Sequence, residues 1–150
     1  MYQNLIIGCL TIAVNVVVQC FVLSFVLRAL FVLEKREAIR PTLVLTSSLL
    51  IGVMLIILIG NVLQMTLWAG LFIALGEFND FSTAFYHSMV NFTTLGYGDL
   101  VMSKAARMLG AFEAANGVLM FGLTTGFLYT VLSALMRRAW DVRLSQDGQP

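Results

Sequence analysis

Three observations predict an all-α membrane protein of three transmembrane helices and one shorter helix that re-enters the face it left. The chain is 59% hydrophobic and only 11% charged, with mean hydropathy +0.90 over 150 residues. A soluble domain of this length cannot hide that much apolar surface, so lipid must be the solvent. The apolar residues fall into three long stretches, and a polar break of about thirty residues separates the second from the third.

Each stretch is long enough to span. Leu5–Leu33 carries one charge, Arg28; Leu43–Gly76 carries none; Met108–Met136 carries only Glu113. All exceed the ~20 residues that cross a ~30 Å hydrocarbon core, and the excess implies tilt or protruding turns. The first is not a cleavable signal, because it lacks a basic leading region and its apolar run is too long. Cys9 and Cys20 share that first helix roughly 16 Å apart. This is beyond disulfide reach, and both are expected as buried, inert thiols.

The basic residues set the orientation. Arg28, Lys35, Arg36, Arg40, Arg137, Arg138 and Arg143 fall on one side, and Lys104 and Arg107 on the other. The positive-inside rule then puts the N-terminus outside and the C-terminus in the cytoplasm. Between Gly76 and Met108 the chain leaves and re-enters the outer face. Asn79 or Asp80 is placed to cap a helix over Phe81–Phe92, a length too short to span. Irregular backbone at membrane depth is tolerated only where protein buries it or it lines a water-filled path.

That break holds Thr93-Thr94-Leu95-Gly96-Tyr97-Gly98-Asp99. The string, in this setting, resembles the selectivity filter of the potassium-channel pore-domain family, with Leu95 where Val is usual. The resemblance extends to Gly117–Leu123 (Gly-Val-Leu-Met-Phe-Gly-Leu), which is similar to the inner helix of two-span bacterial potassium channels. It implies that Phe81–Phe92 is a pore helix and that the carbonyls of Thr94, Leu95, Gly96 and Tyr97 line the ion path with Gly98. The Thr94 hydroxyl closes the inner end. Thr93, Asp99 and Tyr86 support the filter, and Gly117 is a gating hinge. Backbone carbonyls replace a cation's water without a counter-charge to trap it. Stacking them requires backbone of alternating hand, which Gly96 and Gly98 adopt at least steric cost. A phosphate-cradling loop would open a helix and usually carry Lys, whereas Asp99 follows here. Behind the filter the sequence departs from the family: Val90 stands where some members carry Glu, and Tyr86 and His87 replace paired Trp residues. His87 reads first as a packing residue.

The expected organisation is an N-terminal transmembrane helix and linker (1–40), a pore domain (41–138) and a short cytoplasmic tail (139–150). Helical spacing below Gly117 places Val118, Phe121, Thr125 and Tyr129 along the cavity. Rise per residue places Glu113 and Asn116 near the level of Asn61 and Gln64 in span two and of Thr11 and Asn15 in span one. Interhelical hydrogen bonds require such a level. Glu113 is therefore expected in a polar layer behind the filter, bonded within that layer or to Ser88 or Asn91.

The function expected is passive, potassium-selective conduction through a homotetrameric pore in a lipid bilayer, four loops building one filter. The resemblance puts it in a prokaryotic plasma membrane. Potassium held by filter carbonyls is the only metal expected, with no cofactor, no small-molecule substrate and no nucleic acid, which a net charge of +1 disfavours. A weakly selective cation channel and a non-conducting accessory subunit are the alternatives. An enzyme is not expected, since Ser, Cys, His and carboxylates show no catalytic grouping. Nor is voltage sensing, which needs Arg at repeated intramembrane positions where span one has Arg28 alone.

Overall fold

The computed structural model describes residues 2–35 and 43–147. Its helices are α1 (Tyr2–Lys35), α2 (Leu43–Ala74), α3 (Phe81–Phe92) and α4 (Arg107–Asp147). The linker residues Arg36 and Arg40 lie outside the described residues. Three helices, α1, α2 and α4, are long and apolar enough to cross a membrane.

Each boundary has a local cause. α2 ends at Ala74, and Gly76 just beyond it, with a φ of +73°, closes the helix. The Gly76 amide donates to the Ile73 carbonyl, and the Glu77 amide reaches back to Phe72 at 3.0 Å. Of the two candidate caps it is Asp80 that starts α3, accepting from the Thr83 amide at 2.8 Å. The Thr83 hydroxyl, and then its amide, hold the exposed Asp80 carboxyl below its ordinary pKa. The Glu77 carboxylate accepts from both the amide and the hydroxyl of Ser103, each at 2.8 Å, tying the end of α2 to the approach to α4.

At its far end α4 continues to Asp147, so residues 139–147 of the expected short tail are helical. No Gly or Pro lies between Phe127 and Asp147, so nothing in the sequence interrupts the backbone.

The helices pack around two apolar clusters. One gathers Met65, Trp68, Phe72, Phe92, Leu109 and Met120 from α2, α3 and α4. The other gathers Val26 of α1 with Val53 and Ile57 of α2, with Phe127 and Leu128 of α4 against them. α3 wedges between α2 and α4, whereas α1 lies against α2 and α4, and among the described residues no Cα of α1 comes within 8 Å of one in α3. Cys9 and Cys20, expected to be buried, are both exposed on α1. α1 turns its polar face inward and leaves thiols and apolar side chains to the lipid.

Candidate functional site

The loop after α3 is shaped by its backbone. Thr94, Gly96 and Gly98 have φ of +61°, +59° and +73°, while Leu95 and Tyr97 do not share that hand. Every second residue is therefore left-handed. For Thr94, which has a Cβ, this costs about 1–2 kcal/mol, so the surroundings must hold it. They do so through α3. The Thr94 amide donates to Asn91 O at 2.8 Å, and those of Leu95 and Gly96 to Val90 O at 2.9 and 3.3 Å. The Thr93 hydroxyl bonds Met89 O at 2.7 Å. Amides of this loop thus point back at the C-terminal carbonyls of α3, which frees the loop's own carbonyls for the opposite side. Thr93 through Asp99 are all exposed in the single chain.

At the loop's end the Tyr86 hydroxyl donates to Asp99 Oδ2 at 2.8 Å, and this bond raises the Tyr86 pKa. His87 is buried, its ring edge-on to Phe72 and tilted against Phe78, with Nε2 2.8 Å from Asn91 Nδ2. Burial lowers its pKa, opposed by the Leu100 backbone and by Asp99. The ring packs as a neutral group. Val90 is buried.

Gly117 sits where α4 meets the end of α3. A Cβ built there would stand 1.8 Å from the Phe92 carbonyl oxygen. No side chain fits, and α4 runs unbroken through this point. The position is a close backbone approach directly beneath Thr93. Below it, Val118 and Tyr129 are exposed, and Thr125 bonds its own helix at Phe121 O. Phe121 meets Phe92 edge-on with centroids 5.7 Å apart.

Glu113 and Asn116 are fully buried. Glu113 Oε1 is bonded to the Ser88 hydroxyl, which also lies 2.8 Å from Met65 O. Asn91 flanks the same carboxyl.

The helix-to-helix bonds of the polar layer differ from those expected. Thr11 and Asn15 use their donors within α1, on Ile7 O and Thr11 O. The bridge is made instead by Gln19, which sequence reasoning passed over. Gln64 Nε2 donates to Gln19 Oε1 at 2.7 Å, and Gln19 Nε2 to Thr124 Oγ1 at 3.1 Å. Gln19 follows Asn15 by four residues and so shares its face, a signal the sequence does carry. Asn61 is buried, with no partner for Oδ1 among the described residues.

Two membrane-length helices flanking a short helix, and a loop of alternating backbone hand held against that helix, define a channel-forming class of membrane protein. The family model described as "Ion channel" matches residues 53–134, more than half of the chain. The chain belongs to this ion channel family. Neither curated proteins nor solved structures yield a match.

Proposed function

We propose that the chain is one subunit of a homotetrameric, potassium-selective channel with residues 41–138 as its pore domain. The observation that carries this reading is the left-handed backbone at Thr94, Gly96 and Gly98, with the amides of Thr94, Leu95 and Gly96 tied to α3. Such a strand presents successive carbonyls to one side, the chemistry that replaces a cation's hydration shell. A single chain supplies one such strand, and four around an axis enclose the ion. α3 then re-enters the membrane as a pore helix, its C-terminal partial negative charge facing the cation. Asp99 and Tyr86 brace the outer end, and Thr94 closes the inner end. Val118, Phe121, Thr125 and Tyr129 line the cavity, and Gly117 is the point about which α4 swings. The N-terminus lies outside and the C-terminus in the cytoplasm, in a prokaryotic plasma membrane.

A weakly selective cation channel is the second reading. It is favoured by Val90, which leaves Asp99 with Tyr86 as its only hydrogen-bonded side chain among the described residues. Purified protein in planar bilayers, with potassium opposed to sodium, separates the two. The reversal potential should track the potassium gradient, and barium should block. A reversal potential indifferent to that gradient rejects potassium selectivity, and absence of current leaves the accessory-subunit reading. Gly96→Ala should abolish selectivity or current, since a Cβ opposes its φ of +59°.

A further inference from the structure

We infer that the seam where α1 packs on α2 and α4 is an internal water-binding site, and that α1 serves to enclose it. The helix register follows from the contacts between these helices. Gln19 reaches Gln64 on α2 and Thr124 on α4, while Gly60 of α2 faces Val22 of α1. α1 and α2 therefore run antiparallel. One turn from Gln19 towards the start of α1 is Asn15, and one turn from Gln64 towards the end of α2 is Trp68. The same step along α4 leads from Thr124 past Met120 to Asn116 and then to Glu113.

These four side chains are fully buried. Asn15 Oδ1, Trp68 Nε1, both amide atoms of Asn116 and Glu113 Oε2 have no hydrogen-bond partner among the described protein atoms. Gln64 Oε1 is in the same position at the Gln19 bridge. Buried polar atoms are almost always bonded, to protein or to internal water. The set mixes donors with acceptors, as water requires and a bare cation would not. On α4 the set holds Glu113 and Asn116, and it continues through Asn15 and Trp68 to Gln64 at the Gln19 bridge, so it is distributed along the seam and not gathered at a point.

The same residues explain α1. Without it, Asn61, Gln64 and Thr124 would meet hydrocarbon, where an unsatisfied polar group costs several kcal/mol. α1 brings Asn15 and Gln19 to that same face and turns its apolar side outward, with Phe21 and Phe25 exposed. Water in the seam then reaches from the Gln19 bridge to Glu113, whose other oxygen is bound by Ser88 behind the loop.

Trp68 reports on the site directly. The chain has two tryptophans, and Trp140 is exposed near the end of α4. Trp140→Phe leaves Trp68 as the sole emitter in the full-length protein in lipid nanodiscs. Its emission should be red-shifted from that of an indole in a dry apolar core, and its lifetime should lengthen in D2O. Radiolytic labelling in 18O-water should mark Trp68 despite its burial and spare its cluster neighbour Phe72, which has no polar atom to hold water. Asn15→Leu should shift Trp68 emission to the blue and abolish both the isotope effect and the label. A Trp68 that is blue-emitting, insensitive to D2O and unlabelled in the parent protein overturns the inference, and so does a response that survives Asn15→Leu. If that variant does not fold, the parent measurements decide alone.

Discussion

The seam between α3 and α4 and the seam that attaches α1 are both closed on glycine, but on different neighbours. At Gly117 the atom that leaves no room is a backbone carbonyl, Phe92 O, 1.8 Å from where a methyl carbon would stand. At Gly60 the neighbours are Val22 methyls at 3.0 and 3.2 Å, and at Gly8 they are ring atoms of Phe112 at 2.8 Å. A side chain can rotate or shift by tenths of an ångström; a carbonyl at the end of α3 cannot move without dragging Thr93 and Thr94. The first seam therefore has one geometry, whereas the second tolerates adjustment.

Substitutions should separate the two. Gly117→Ala is expected to have the largest effect, on the order of 3 kcal/mol or more, with loss of current. Thermal unfolding in detergent and bilayer recording check it. A variant that conducts and melts like the parent would mean that α3 and α4 are not locked through the backbone. Gln19→Leu comes next. It strips Gln64 Nε2 and Thr124 Oγ1 of their partner and should cost about 1–2 kcal/mol, read as a lower melting temperature. Selectivity should persist, because Gln19 bonds α2 and α4 and not α3. Altered selectivity in this variant would erase the distinction between the seams. Smallest is Gly60→Ala. Relief of the helix penalty for Gly, about 1 kcal/mol, offsets the shift asked of Val22, so stability should change by less than that amount. A collapse comparable to that of Gly117→Ala would show the α1 seam to be as unyielding as the other.

Much of this was legible in the residues. α3 runs over Phe81–Phe92 as Asp80 and the polar break imply, because capping and length are local properties. The left-handed Thr94 was within reach too. An alternating hand counted back from Gly98 and Gly96 lands on it, although a β-branched residue does not invite that conformation. Gln19 was hidden for another reason. Depths counted from helix ends carry errors of several ångströms when the ends are uncertain, and they favoured Thr11 and Asn15. Only packing shows that those two bond within α1 while Gln19 reaches out. The close approach at Gly117 has no sequence signal that separates it from a flexible position, since both uses select the same residue.

The length of α4 has a mechanical consequence. From Gly117 to Asp147 the helix is continuous, a rigid arm of about 45 Å at 1.5 Å per residue. A tilt of about 10° at its upper end would carry the lower end sideways by roughly 8 Å on that rise, while atoms beside Phe92 scarcely move. Displacement is thus concentrated at the cytoplasmic extremity, on the proposed topology. There a protein or lipid headgroup gripping residues around Trp140 would hold the greatest leverage over the helix, with the least force.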